Sequence, residues 1–488
     1  MPFEMDDLVG LNATSVQRIV SLSPQDADKA LERLLKASGK LTPVGMRHSQ
    51  GGHTAYEGGT VLLTETMGLK LTETKRLGWE RFFAPDWDKG QITVAAGVTW
   101  TELHAHLRGT GWAPMVQQSS AHFTIGGSVA VNCHGRDPRW GPMVRSVESL
   151  WLLCGDGERR EASRTENPDL FAAVVGGYGA CGMILKVRLR LVPNHMLAPN
   201  SGDGKRQELD LDKYIEKRLK PVLGEHPEIG STQLHYGWLK CTEDGFWEKV
   251  WVESCVLAVG DPIDKTGTLE SPTWGESEIL RAAWVAARKQ PNIKSSVWEE
   301  MKRRSSNAQK SRTNFLRASV DMTLSKGDRE GVDLLQEYFL PPDQLEKGLQ
   351  QLKDHFRTPG NKALVNVLSS TLRVVRRDAE TNLSYCRDGD RVSLAVEVHV
   401  PVDKDTQGPR RPTLAAQAVL WQANEIVLGL GGCHYLPYYH LESAADNASS
   451  SQFQRAYGGQ RLEEQRAAIK KYDPNHRFWN AFLKSHFA

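Results

Sequence analysis

Apolar positions recur at helical spacing in some stretches of this chain and at alternate residues in others, so a mixed fold is predicted. Ala27, Ala30, Leu31, Leu34 and Leu35 share one face of a helix that Ser23, Pro24 and Asp26 start well and Gly39 ends. Thr99-Trp100-Thr101-Glu102 reads as a capping box, with Leu103 and Leu107 on the buried face behind it. Asn167-Pro168-Asp169 caps a short helix over 170–175. Over 184–191, Lys186, Arg188 and Arg190 alternate with Val187, Leu189 and Leu191, the pattern of a half-buried strand. Residues 91–97 and 146–153 predict two further strands, the second ending in the turn Gly155-Asp156-Gly157. Strands and helices mix without a regular βαβ period, so the expected fold class is α+β.

Composition shifts after Pro193. Residues 194–218 are polar and read as a linker. Beyond them the pattern predicts strands over 250–259, 315–324, 363–375 and 392–401, and helices over 276–288 and 413–428. The charged stretch 298–312, with Lys302, Arg303 and Arg304 together, reads as a solvated face.

The 488 residues suffice for two or three domains. Lys+Arg 61 against Asp+Glu 59 leaves a formal charge of +2, so no global field points to nucleic acid or an acidic membrane. Seven cysteines without a Cys-x-x-Cys pair suggest neither a disulfide framework nor a zinc site, and no metal is expected. No apolar run reaches about 18 residues, so no membrane span is expected. The start of the chain is acidic and lacks a signal-like apolar core, which makes the cytoplasm the expected location. Oligomeric state is not legible.

The chemistry begins with two glycine-rich loops. Gly45, Met46, Arg47, His48, Ser49, Gln50, Gly51, Gly52 and His53 form a loop that can aim several backbone N–H groups at one anion, such as a diphosphate. Packing alone does not call for a histidine at its centre. A second loop, 119–136, is long, hydroxyl-rich and low in charge, and contains Ser119, His122, Thr124, Gly126, Gly127, Ser128, Asn132, His134 and Gly135. It suits a polar, mostly neutral heteroaromatic ring; a buried turn is the alternative. Gly177, Gly179 and Gly182 match a formal G-x-G-x-x-G, but a helix precedes them and a strand follows. That order is the reverse of a Rossmann site. The glycines still let a ligand lie against Gly182 and Ile184.

With residues 94–100, 155–158, 167–184 and 471–480, these loops resemble the flavin-binding domain of the vanillyl-alcohol oxidase / para-cresol methylhydroxylase superfamily. The motifs are nearest to sugar, alditol and aldonolactone oxidases and to cytokinin dehydrogenases. The resemblance covers most of residues 15–193 plus the tail. It implies a PCMH-type two-subdomain FAD-binding domain over 1–193 and an α+β substrate domain with an antiparallel sheet over 194–440. Residues 441–488 would then return to the FAD domain. FAD is the implied cofactor, with its pyrophosphate at the first loop and its ribityl chain and isoalloxazine along the second. Gly182 and Ile184 fall at the adenine end, and Asn480 in the tail signature. His48 falls where several members carry the histidine bonded to the flavin 8α carbon, so a covalent link through His48 is expected. The alternative is that His48 only lines the flavin. His122 occupies the place of a second, cysteinyl bond in berberine-bridge-type members, so at most one link is expected. His134 is expected in the flavin site, whereas His104 and His106 read as surface residues.

The resemblance also implies a reaction: FAD-dependent transfer of hydride from a CH–OH group of a sugar, polyol or sugar-derived metabolite to flavin N5. O2 or another acceptor would then reoxidise the flavin. A base must reach the hydroxyl, and positive charge should sit near the reduced flavin. Glu397 and His399 alternate on one strand and so share a face; alditol oxidases have a comparable acid-x-basic pair. The neighbouring predicted strand carries Asn366 and Arg373. Several sugar oxidases place a lysine where Pro437 and Tyr438 stand here. Tyr438, His440, His399 or Glu397 is then left as the acid/base group. Competing readings are oxidation of an amine or cytokinin-like substrate, oxidative cyclisation in secondary metabolism, and a flavin-binding protein without turnover.

Overall fold

The computed structural model describes residues 3–22, 31, 33–34, 36, 38–64, 83–200, 207–270, 278–304, 308–317, 330–403, 410–439 and 451–488. Helices and largely antiparallel sheets are mixed, as α+β predicts. Near the N-terminus, Thr60–Leu63 lies between Arg18–Ser21 and Leu41–Val44 in a parallel three-stranded sheet. Most of the expected first helix falls outside the described residues, but Leu31 and Leu34 are buried with Leu41, Leu62 and Phe478.

An antiparallel sheet follows in the order Arg159–Ser163, Val147–Cys154, Gly182–Pro193, Gln91–Ala95, Phe83–Asp86. Its long strand keeps the predicted alternation: Val187, Leu189 and Leu191 are buried, while Lys186 and Arg190 are exposed. The capping box forms, with Thr99 N–H donating to Glu102 Oε2 at 2.7 Å and Glu102 N–H to Thr99 Oγ1 at 3.3 Å. The Pro168–Val174 helix precedes the glycines at 177–182 and the Gly182–Pro193 strand follows them, so the Rossmann order is absent.

The third sheet, nine-stranded among the described residues, is antiparallel. Its centre runs Thr232–Leu239, Asn366–Val375, Arg391–Pro401, Gly331–Leu340. The Leu345–Arg357 helix covers one face with Leu345, Leu349, Leu352 and Phe356, the spacing of one helical stripe. Two sequence expectations fail here, and one strand goes unforeseen. The stretch 194–218 is not a linker: Met196–Pro199 and Gln207–Asp210 are strands of this sheet, and Tyr214, Ile215 and Leu219 enter its core. Among its described residues Asp212, Lys213, Glu216 and Lys217 are exposed and hide a sparse buried pattern. The strand expected at 315–324 starts instead in the Arg312–Leu316 helix, which Ser311 caps; 318–329 lie outside the described residues. The Gly331–Leu340 strand was not foreseen, because Asp333, Gln336 and Glu337 interrupt its apolar run.

The tail closes the N-terminal part. Leu41 N–H donates to the Arg477 carbonyl at 2.7 Å, and Trp479 N–H to the Leu41 carbonyl at 3.0 Å. Phe453, Tyr472, Trp479 and Phe482 join the core built by the antiparallel six-stranded sheet. Among the described residues, no helix is long and apolar enough to cross a membrane.

Candidate active site

One cavity of about 520 Å³ is shared by the two glycine-rich loops and the large sheet, a size typical of small-molecule sites. On the loop side, its walls interlock through missing side chains. A Cβ on Gly45 would stand 2.4 Å from Thr124 Oγ1, and one on Gly126 would stand 2.7 Å from Ala96 Cβ. Only glycine permits that approach. Thr124 caps the Ile125–Ala130 helix, its Oγ1 accepting from Gly127 N–H at 3.3 Å. Gly45, Met46, Arg47, His48, Ser49 and His53 line this end, as do Ser119, His122, Thr124, Gly126, Gly127 and Ser128. Gly182 and Ile184 border the same space. The His48 ring lies 4.1 Å from that of Phe123, and His53 stacks on Phe482 at 4.5 Å.

On the sheet side, register decides which side chains face in. Trp238, Thr371, Ala395 and Glu337 stand in one row across four strands, and Ser369, Glu397 and Leu335 in the next. Side chains two apart share a face. Arg373 therefore extends the Thr371 position and Tyr236 the Trp238 position, and both line the cavity. Tyr435 and Tyr438 complete the wall.

The two walls meet at a buried pair. His134 Nε2 lies 2.8 Å from Glu337 Oε1, with side chains 3% and 2% exposed. The carboxylate also accepts from Ser393 Oγ. Burial alone would push the Glu337 pKa up. His134, then Arg373 and Ser393, outweigh that and hold it below the usual carboxylate range. Arg373 lies with its guanidinium carbon 4.9 Å from the Tyr236 ring centre. Burial opposes its charge, but the Tyr236 phenol and Glu337 carboxylate prevail and keep it protonated. Burial, then Glu337, raises the Tyr438 phenol, so it is neutral and can donate a hydrogen bond.

Of the predicted catalytic set, Glu397, Arg373 and Tyr438 are on the cavity wall. His399 is not: its Nδ1 lies 2.8 Å from Asp333 Oδ1, and Arg288 bonds the other oxygen of that carboxylate. The two-residue step that keeps Glu397 and His399 on one face also carries His399 beyond the cavity end. His440 lies outside the described residues. Of the predicted cofactor set, Gln50, Gly51, Gly52, Asn132, Gly135 and Asn480 do not line the cavity. Asn132 Nδ2 donates to Asp378 Oδ2 and its Oδ1 accepts from Val144 N–H. Asn480 donates to the Tyr178 carbonyl at 2.9 Å and caps Leu483 N–H. A Cβ on Gly135 would meet the Gln117 carbonyl. His104 is no surface residue: it is fully buried, 2.7 Å from Gln117 Oε1, and burial drops its pKa to about 3. His106 is half-buried and stacks on Phe83. Sequence reasoning missed Glu337, Tyr236 and Trp238; the alternation Asp333, Leu335, Glu337 was the available signal.

Gln50 is turned toward the sheet. Its Nε2 donates to the Asp333 carbonyl at 3.2 Å and its Oε1 accepts from Leu335 N–H at 2.9 Å. Its own N–H donates to the Pro437 carbonyl at 2.7 Å. The carboxamide thus takes a strand neighbour's place on an open edge and fixes the His48 loop against the sheet. Gln50→Ala is expected to cost about 1–3 kcal/mol, because it strands two backbone groups. Urea denaturation checks this; an unchanged midpoint would show that the edge needs no such partner.

Thr54 Oγ1, Ser119 Oγ and Tyr178 OH are buried cavity-wall groups without a hydrogen-bond partner among the described residues. Buried hydroxyls are normally satisfied, so the cavity suits a long ligand rich in acceptors. Residues 19–163 match the family described as FAD binding domain. The chain is 30% identical over 178 residues to an uncharacterized oxidoreductase of the fasciation locus of Rhodococcoides fascians, covering 36% of this chain and 37% of that protein. It is 32% identical over 139 residues to mouse L-gulonolactone oxidase, 28% of this chain and 32% of the other. It is 32% identical over 168 residues to cytokinin dehydrogenase 2 of Arabidopsis thaliana, 33% and 31% of the two chains. The matches thus span about a third of the length of these relatives. The close-approach glycines and the three unsatisfied hydroxyls fit FAD. Residues 19–163 thus match an FAD binding domain, and through it the chain is similar to FAD-linked oxidoreductases such as L-gulonolactone oxidase and cytokinin dehydrogenase.

Proposed function

We propose that the protein is an FAD-dependent oxidoreductase that oxidises a CH–OH group of a sugar-type substrate lying on the large sheet. The supporting observation is one cavity that runs from the FAD loops to a wall bearing Glu397, Glu337, Arg373 and Tyr438. FAD, when bound, supplies the acceptor for the hydride that leaves the carbon. Glu397 takes the hydroxyl proton. Tyr438 and Arg373 donate hydrogen bonds to substrate oxygens and orient the carbon. Glu337 remains ionised and holds His134, so the loop and sheet walls keep a fixed separation. Tyr438, being neutral, serves as a donor and not as the base.

In the same reading, the parallel three-stranded and antiparallel six-stranded sheets are the two FAD subdomains. Residues 1–193, 194–440 and 441–488 are then the functional divisions. His48, on the loop side of the cavity beside Phe123, is the site of the covalent flavin bond. Acid precipitation should leave yellow colour on the protein and on the peptide containing His48; free FAD in the supernatant would count against the bond. Anaerobic addition of aldonolactones, alditols and cytokinin-like amines should bleach the flavin with the hydroxylated compounds. Bleaching by the amines alone would transfer the protein to the cytokinin-type reading. A colourless preparation that FAD cannot reconstitute would sink the proposal.

A further inference from the structure

Lys294 is the second residue of the Ile293–Arg304 helix and is only 8% exposed. Its ammonium donates to Asn366 Oδ1 at 2.5 Å and to the Val367 carbonyl at 2.6 Å, both neutral acceptors. Among the described residues, no carboxylate lies within ion-pair distance of it. Lysines are almost never this buried unless paired, and an uncompensated buried charge is strongly destabilising. The helix adds to the imbalance: its first turn carries no acid, and its positive dipole end lies at the same place. Asn366 cannot swing away, because its amide donates to the Ala287 and Arg288 carbonyls at 3.1 and 2.9 Å.

Lys294 borders a recess of about 40 Å³, walled by Trp238, Trp284, Trp298, Met301 and Ser369. Trp284 Nε1 is buried and has no partner among the described residues. Trp238 and Ser369 also line the main cavity, so they form the wall the two spaces share. Ser369 is the register partner of Glu397. The recess therefore adjoins the proposed reacting end of the substrate face. Its volume holds a few waters, which admits a group of carboxylate size and excludes a ring.

We propose that this recess is a subsite for an anionic oxygen group of the substrate, a carboxylate, with Lys294 Nζ and Trp284 Nε1 as donors. The substrate is then a hydroxy acid of the sugar-acid class and not a neutral polyol. This rests on the reading of the main cavity as a hydroxyl-oxidising site. The carboxylate completes an ion pair that the protein alone leaves half made, and the three tryptophans exclude the water that would weaken it.

The test titrates FAD-loaded protein with D-gluconate, D-glucuronate and neutral D-glucitol, read by tryptophan fluorescence. The acids are expected to bind about tenfold or more tightly than glucitol, and Lys294→Met to remove that preference. Lys294→Arg should retain part of it. Lys294→Met deletes a buried charge but also the donor to Asn366 Oδ1 and the Val367 carbonyl, so its fold is checked by circular dichroism before binding is compared. Wild-type protein without a preference for the acids overturns the proposal. So does a folded Met variant that binds acids as the wild type does. Bleaching of the flavin is recorded separately. Bleaching by glucitol without acid preference defeats the subsite alone, whereas acid preference with no bleaching by any alcohol defeats the oxidoreductase reading alone.

Discussion

Glu397→Gln is expected to slow anaerobic bleaching of the bound flavin by about 10²–10⁴-fold, the usual contribution of a positioned base. Glutamine keeps the shape of the side chain and removes its proton-accepting charge. FAD content should not change, because Glu397 stands on the sheet wall and not on the loops proposed to hold the cofactor. His399→Asn is the matched control. His399 shares the strand face with Glu397 but pairs with Asp333 outside the cavity, so its loss should change the rate only severalfold. Single-turnover kinetics isolates the chemical step from product release. Equal slowing in both variants, or none in Glu397→Gln, would remove Glu397 from the proton-transfer role.

Glu337→Gln should cost about 1–3 kcal/mol at neutral pH, the range for weakening buried hydrogen bonds to a charged acceptor. Its carboxylate is held below the usual range by His134, Arg373 and Ser393 against the opposing effect of burial. A depressed folded-state pKa adds stability above the unfolded value, roughly 4.3, and that increment is lost as pH falls through the folded value. The gap between wild type and Glu337→Gln should thus be wide at pH 7 and narrow progressively below about pH 4.3. Urea melts at several pH values measure it. A gap independent of pH would mean that shape, not charge, is what Glu337 contributes.

The loop side of the site was more legible than the sheet side for a physical reason. Gly45 and Gly126 are required where a Cβ would collide with Thr124 and Ala96, so the residue type itself records the geometry. Glu337 carries no such mark: a carboxylate in an apolar strand reads equally well as an exposed edge residue. Only pairing with Arg391–Pro401 places it beside Ala395 and opposite His134. Gln50 shows the converse. Its position in a glycine loop suggested cofactor contact, yet its carboxamide reaches the Asp333–Leu335 backbone instead. His399 shared the face predicted for it, but alternation says nothing about where along a strand a cavity ends. The Asn194 to Arg218 region misled because linker composition and edge-strand composition are alike.

The hydrogen bonds that bracket Leu41 with Arg477 and Trp479 also bear on how the protein comes to exist. Three links of the site area join residues 283, 203 and 302 positions apart: Gln50 to Asp333, His134 to Glu337, and Asn480 to Tyr178. Such distant pairings make folding slow, because each closes a long loop before it is rewarded. A ribosome adding about 5–20 residues per second would have to synthesise the substrate sheet and the segment to Asn480 before the N-terminal loops found their last partners. Nascent chains should therefore pass an interval in which both cofactor loops are present but not yet braced. FAD supplied during refolding would bind only after that final docking, and cofactor capture would report the end of folding, not its beginning.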